Sequence, residues 1–229
     1  MKIDEFPAWL IYKYWSGDTS TYAVFFTVEQ GLVKGLCRGG RLPKKQSLLQ
    51  PFQPLWITLK SYRDWNYIAQ LESMSPSLYL SGDCLFAGLY MNELIYYTLP
   101  PNESFTKLYH YYSASLDALL TARDQQSIEI ILRRFEMALL KMIGYDIIFT
   151  YDCHGKSIDP KLNYVFIPDE GFIVNDHGIV GTHIIAIAND QLINLDILRS
   201  VKYIMRRAIN FVTEGKPFKS RQLYKKSIL

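Results

Sequence analysis

The hydrophobic period of this chain changes once, near residue 75, and that change limits what the chain can become. Before it, apolar residues alternate in short runs bounded by turn residues, which is the period-2 signature of strands. The runs are 9–15 (WLIYKYW), 21–28 (TYAVFFTV), 32–37 (LVKGLC), 54–60 (PLWITLK) and 65–71 (WNYIAQL). Ser16-Gly17-Asp18, Glu29-Gln30-Gly31 and the loop 38–45 (RGGRLPKK) break them. Five short strands in so little chain predict a small closed barrel. The OB-fold is the commonest five-stranded form, and an SH3-like barrel would give a similar pattern.

After a linker at 73–77 (SMSPS) the period becomes helical. Helices are expected over 83–99, ending before Pro100-Pro101, and over 103–122, with Asn102 as N-cap. A third covers 127–143 and stops at Gly144. Short strands and turns follow over about 147–181, then a helix over 195–212, capped by Asn194 and ended near Gly215, and a last short helix over 219–227. The fold class is therefore α+β. A five-stranded barrel domain over 1–75 precedes a mainly α-helical domain over 76–229, which carries a strand/turn insertion around 147–181. No run of 18 apolar residues exists, so no membrane helix is expected. The first residues carry two acids and no long apolar run, unlike a signal peptide. Three widely spaced cysteines fit a reduced compartment, so the cytoplasm is the expected location and a monomer the expected state.

Charge is distributed unevenly. Residues 30–63 hold seven bases and no acid, whereas 64–198 hold seven bases and seventeen acids. Residues 199–226 hold nine bases and one acid, Glu214. Two basic zones around an acidic middle suggest a polyanion partner, the alternative being solvated faces that happen to cluster. In the first zone Lys34, Arg38, Arg41, Lys44 and Lys45 ride on a glycine-rich backbone that can approach phosphates closely. The flanking strands carry Tyr12, Tyr14, Trp15, Tyr22, Phe25, Phe26, Trp56, Trp65 and Tyr67. Exposed rings on a barrel stack unpaired bases, although about two-thirds of these are expected to fill the barrel or the domain interface, because large rings dominate small cores. The loop lacks the Gly-Lys-Ser/Thr of a nucleotide-binding Walker A motif and no helix clearly follows it. In the second zone Arg206, Arg207, Lys216, Lys219 and Arg221 extend a phosphate track, with Phe218, Leu223 and Tyr224 able to dock it; a flexible basic tail is the alternative.

The 127–143 helix has a polar-side anomaly. Opposite its core face lie Ile130 and Met137, flanked by Arg133, Arg134 and Lys141. An apolar socket edged by arginines suits a short acidic, aromatic peptide. Alternatively Ile130 and Met137 pack on a neighbouring helix while the arginines pair with Glu129 and other acids. Cys153-His154, His177 and His183 match no common zinc spacing, and no hydrolase or protease motif occurs. Neither a metal, a cofactor nor an enzymatic activity is expected.

Four stretches together resemble the proteobacterial RecO family of DNA repair and recombination mediators. They are 35–45 with 49–55 (LQPFQPL), 88–94 (GLYMNEL), 132–140 (LRRFEMALL) with Gly144-Tyr145, and 215–223 (GKPFKSRQL). The resemblance implies an N-terminal OB-fold with a helical C-terminal domain. It implies binding of single- and double-stranded DNA, annealing of complementary strands and cooperation with RecR. Contact with the acidic tail of the single-strand-binding protein SSB is also implied, as are loading of RecA onto coated strands, a place in the RecF pathway and nucleoid association. The family's tail-binding helix maps onto 132–135, which makes Arg133, with Ile130, Arg134 and Met137, the implied tail site. Many members hold zinc with four cysteines in the helical domain; here only Cys84 and Cys153 lie in 76–229, so that module is expected to be lost. A protein-binding adaptor with little direct DNA contact is the alternative function.

Overall fold

The computed structural model describes residues 2–63 and 65–226. Five strands form a closed barrel, β1 (Lys2–Ser16), β2 (Ser20–Thr27), β3 (Gly31–Cys37), β4 (Pro54–Tyr62) and β5 (Trp65–Ser73), in the order β1-β2-β3-β5-β4. The closing contact is parallel, Leu36 opposite Tyr67. β1 is long enough to pair with β2 through one half and β4 through the other, and its register shifts between Leu10 and Tyr12. That bulge bends the strand around the barrel corner. Alternation puts Phe6, Ala8, Leu10, Ala23, Phe25, Val33, Leu55, Ile57, Leu59 and Ile68 into one core. Each large side chain buried there contributes about 2–3 kcal/mol. Gly31 closes the β2–β3 turn at φ +59°, and a Cβ there would stand 1.8 Å from the Glu103 carbonyl oxygen.

The expected loop 38–45 is partly helical: α1 (Pro43–Leu48) starts with proline in its first turn. Proline's fixed φ suits that position. The helix buries no residue, so its sequence shows no apolar stripe and reads as loop.

Compactness divides the chain into Met1–Ala122 with Phe218–Leu229, here unit 1, and Arg123–Pro217, unit 2. The sequence boundary at residue 75 marks the change from strands to helices, whereas unit 1 also includes α2 (Gly82–Thr98), α3 (Thr106–Thr121) and α7 (Lys219–Lys226). Trp9 of β1 meets Tyr112 of α3 edge-on, and the Tyr112 hydroxyl donates to the side-chain Oδ1 of Asn92 on α2. Burial pushes the Tyr112 phenol far above its ordinary range, so it acts as a donor. Asn102 does not cap α3, which begins four residues later behind Phe105. Instead Asn102 sits at φ +58° and its N–H donates to Leu32. Ser227, the expected end of the last helix, lies outside the described residues.

Unit 2 contains α4 (Gln125–Met142), α5 (Gly181–Ala188), α6 (Leu195–Val212) and a sheet of β6 (Asn163–Ile167), β7 (Gly171–Val174) and β8 (Ile179–Val180), ordered β7-β6-β8. The strands fall in the insertion expected around 147–181. Asp124 caps α4 by accepting from the Ser127 N–H, which holds the Asp124 carboxyl below the usual carboxylate range. Asn194 caps α6 through Ile197. Gly144 ends α4 at φ +87°. α5 went unassigned in the sequence. Among the described residues no helix is long and apolar enough to cross a membrane, and no cluster of three or more His, Cys, Asp or Glu is placed to hold a metal.

Candidate nucleic-acid interface

The basic loop joins β3 to β4 and carries its cations on aromatic shelves. Arg38 lies over the Tyr67 ring at 5.1 Å. Arg41 lies over Trp15 at 4.9 Å, and its Nη1 donates to the Gly17 carbonyl at 3.2 Å. Lys45 Nζ donates to the Arg38 carbonyl at 2.9 Å. Lys44 is exposed on α1. On β3, Lys34 lies 5.1 Å from the Tyr14 ring centre and 4.9 Å from that of Tyr22. A hydrogen bond with Tyr14 is the main cause of its raised pKa, so it stays charged at neutral pH. Arg63 lies over Tyr62 at the β4–β5 turn.

None of the seven bases of 30–63 is in an ion pair with a described carboxylate. Their charge is therefore available to a ligand, while each shelf restricts the cation's motion at about 0.5–1 kcal/mol per contact. Of the nine flanking aromatics only Phe25 and Phe26 are wholly buried; Trp15 is 52% and Trp65 55% exposed. The expectation that about two-thirds fill the barrel or the domain interface is corrected: Phe25 fills the barrel, Phe26 packs on Tyr109 and Tyr112 of α3 and Tyr12 on Tyr96 of α2, while Trp15, Trp56 and Trp65 are exposed. Aliphatic residues with Phe6 and Phe25 line the barrel, and Tyr12, Tyr14 and Trp15 of β1 lie outside that core.

The second basic zone differs. Arg199 pairs with Asp196, and Lys202 with Glu129. Arg207 donates to the Tyr203 hydroxyl at 3.0 Å and lies over that ring, whereas Arg206 is exposed without a described carboxylate partner. Lys216 is exposed in unit 2. Lys219 and Arg221 belong to unit 1, where the segment is docked rather than loose. Glu93 of α2 accepts from the Lys219 and Ser220 N–H groups, both at 3.0 Å, and from the Ser220 hydroxyl at 2.5 Å. Arg221 lies over the Tyr90 and Phe218 rings at 4.8 and 4.6 Å and donates to the Tyr90 hydroxyl. The matched stretches 88–94 and 215–223 are thus two halves of one contact, and Arg221 serves packing.

On α4, Arg133 is turned inward. It is 4% exposed, with Nη1 3.0 Å from Glu136 and Nε 3.8 Å from Glu129. The neighbour visible in the structure is α6, whose Lys202 also reaches Glu129. Arg134 is outward and forked onto Asp190, with both N–O distances 2.9 Å. Ile130 and Met137 are partly buried. This arrangement follows the alternative in which the arginines pair with nearby acids. Tyr96, Glu93 and Asp190 escaped the sequence reading: each reaches its partner across elements, and no local spacing announces such a contact.

The sequence is similar to known proteins over most of its length. Residues 81–203 match the family model described as Recombination protein O C terminal. A protein named DNA repair protein RecO from Legionella pneumophila strain Paris is 47% identical over 219 residues, covering 95% of this chain and 96% of its own. Proteins of the same name from Tolumonas auensis and Pseudoalteromonas translucida are 35% and 31% identical, covering 95% and 98% of this chain and 93% and 98% of their own.

Proposed function

This chain belongs to the RecO family, which gives it a role in DNA repair and recombination, and from that premise we propose that it binds single- and double-stranded DNA and anneals complementary strands. The observation that carries the reading is the run of seven bases over 30–63, unpaired with any described carboxylate, of which Lys34, Arg38, Arg41 and Arg63 lie over aromatic rings. Phosphates displace counterions at such a surface, and rings beside it receive bases. Neutralising phosphates on two strands lowers their repulsion and favours pairing. The work is non-covalent and needs no cofactor. Its setting is the cytoplasm, at the nucleoid.

Unit 2 is assigned the acidic tail of SSB. Arg134 already grips a carboxylate with its fork, so a tail carboxylate exchanges with Asp190 while an apolar tail residue meets Ile130 and Met137. Arg133 supports the helix from within. RecR is a direct partner, and RecA loading, together with any dependence on RecF, follows from the exposed strand that annealing and SSB capture provide.

The test is annealing of labelled complementary oligonucleotides with and without SSB, in the absence of metal and nucleotide. Acceleration in both conditions is expected. An adaptor with little DNA contact would give no acceleration without SSB and no mobility shift at low salt, and that result would retire the proposal.

A further inference from the structure

Four tyrosines and a lysine on unit 1 form an arrangement that phosphate binding alone does not require. Tyr14 of β1 and Tyr22 of β2 oppose each other in the ladder and stack, with centroids 5.2 Å and planes 28° apart. Tyr12 lies 6.3 Å from Tyr14 and stacks on Tyr96 of α2 at 4.8 Å and 28°. The rings therefore run in the order Tyr22, Tyr14, Tyr12, Tyr96. Tyr12 is 38% and Tyr96 37% exposed, and Tyr14 and Tyr22 are partly so.

Cations stand at both ends. Lys34 lies over Tyr14 and Tyr22. Lys219 lines a pocket with Tyr12 and Tyr96. The one carboxylate lining that pocket is Glu93, and it is already bound by the N–H groups that open α7. Neighbouring strand residues face opposite sides, so Trp15, the shelf of Arg41, stands on the other face of β1 from Tyr14 and Tyr12, and the row is a surface of its own.

The barrel core does not use these rings, and a contiguous row of aromatic rings that reaches solvent at Tyr12 and Tyr96 marks a binding surface. Duplex DNA keeps its bases stacked on one another and offers phosphates and base edges but no open π-face. Unpaired nucleotides offer both a flat π-face and a phosphate at each step, the combination this row matches. We propose that the Tyr22–Tyr14–Tyr12–Tyr96 row is the surface by which this chain distinguishes unpaired nucleotides from duplex. A single strand follows the row, bases against tyrosine faces and phosphates toward Lys34 and Lys219. The inference rests on the polynucleotide reading above and adds the origin of a preference between strand states.

The experiment compares Tyr12→Leu/Tyr96→Leu, Tyr12→Phe/Tyr96→Phe and the rim variant Arg41→Gln/Lys44→Gln with the wild-type chain. Anisotropy is read on a labelled single strand and on a hairpin duplex of equal length. The leucine pair should weaken single-strand binding by about tenfold to a hundredfold and leave duplex binding within about twofold. The phenylalanine pair should keep both affinities, because the ring face and not the hydroxyl is used. Equal losses on both DNA forms, or no loss on the single strand, would overturn the row. So would a leucine pair that loses a labelled acidic aromatic peptide while keeping the single strand, since the surface would then belong to a peptide. A rim variant that leaves both DNA forms untouched defeats the polynucleotide reading itself; a rim variant that weakens both, beside an inert leucine pair, defeats only the row. Should the leucine pair fail to fold, photo-cross-linking of the wild-type chain to a 5-iododeoxyuridine single strand decides the matter. Attachment is expected at Tyr12, Tyr14, Tyr22 or Tyr96, and attachment solely elsewhere rejects the proposal.

Discussion

Neutralising Arg38, Arg41, Lys44 and Lys45 together to glutamine tests the rim quantitatively. None of the four is in an ion pair with a described carboxylate, so the change leaves no buried charge unpaired. What folding loses is a donor to the Gly17 carbonyl, a donor to the Arg38 carbonyl and two cation–ring contacts at the surface. Surface changes of this kind cost about 0.5 kcal/mol or less each, so the folded fraction stays near unity and binding can be read directly. Each phosphate neutralised on a single strand contributes about 0.7 to the slope of log affinity against log salt, and four contribute about 2.8. Between 50 and 200 mM salt, a fourfold change, the wild-type chain should lose about fiftyfold more affinity than the variant. Titrating a fluorescent oligonucleotide at four salt concentrations measures both slopes. Parallel lines, with the variant merely displaced or unchanged, would mean that these cations touch no phosphate and that the rim is not the site.

Two further outcomes concern unit 2. Arg133→Ala breaks the ion pair with Glu136, which is fully buried, and should lower stability by about 3–5 kcal/mol, whereas Arg133→Met with Glu136→Leu should restore much of it; thermal unfolding of the three proteins checks this, and an unperturbed single variant would show that the pair carries no structural load. Asp124 has a lowered folded-state pKa because it caps the Ser127 N–H, so its contribution is present above the unfolded carboxylate pKa and is lost as pH falls through the folded one. The wild-type chain should therefore shed this stability in acid, Asp124→Asn should keep the cap without that pH dependence, and identical acid unfolding profiles for the two would refute it.

How far the sequence could be read depended on whether the deciding neighbour was local. The barrel strands were legible because one face is buried and the other wet, which writes a period of two. The first half of β1 was not: Asp4 and Glu5 interrupt its apolar pattern, and its partners on β4 run from Ser61, opposite Lys2, to Pro54, opposite Trp9, far along the chain. α1 buries nothing and so has no stripe. α5 is a short apolar run (GTHIIAIA) in which helix and strand look alike. The two basic zones show the same rule in charge. Residues 30–63 themselves contain no acid, and the freedom of most of that zone could be anticipated. In the second zone Asp196, three residues before Arg199, was a visible neutraliser, but Glu129 reaches Lys202 from 73 positions away. The same distance-blind projection put Arg133 at the edge of an outward face. A helical wheel reports which residues share a side, and it takes a second helix to say which side is inside. A surplus of bases therefore predicts a polyanion site only when its acids are absent from the folded neighbourhood as well as from the local sequence, which here separates the rim of the barrel from most of α6.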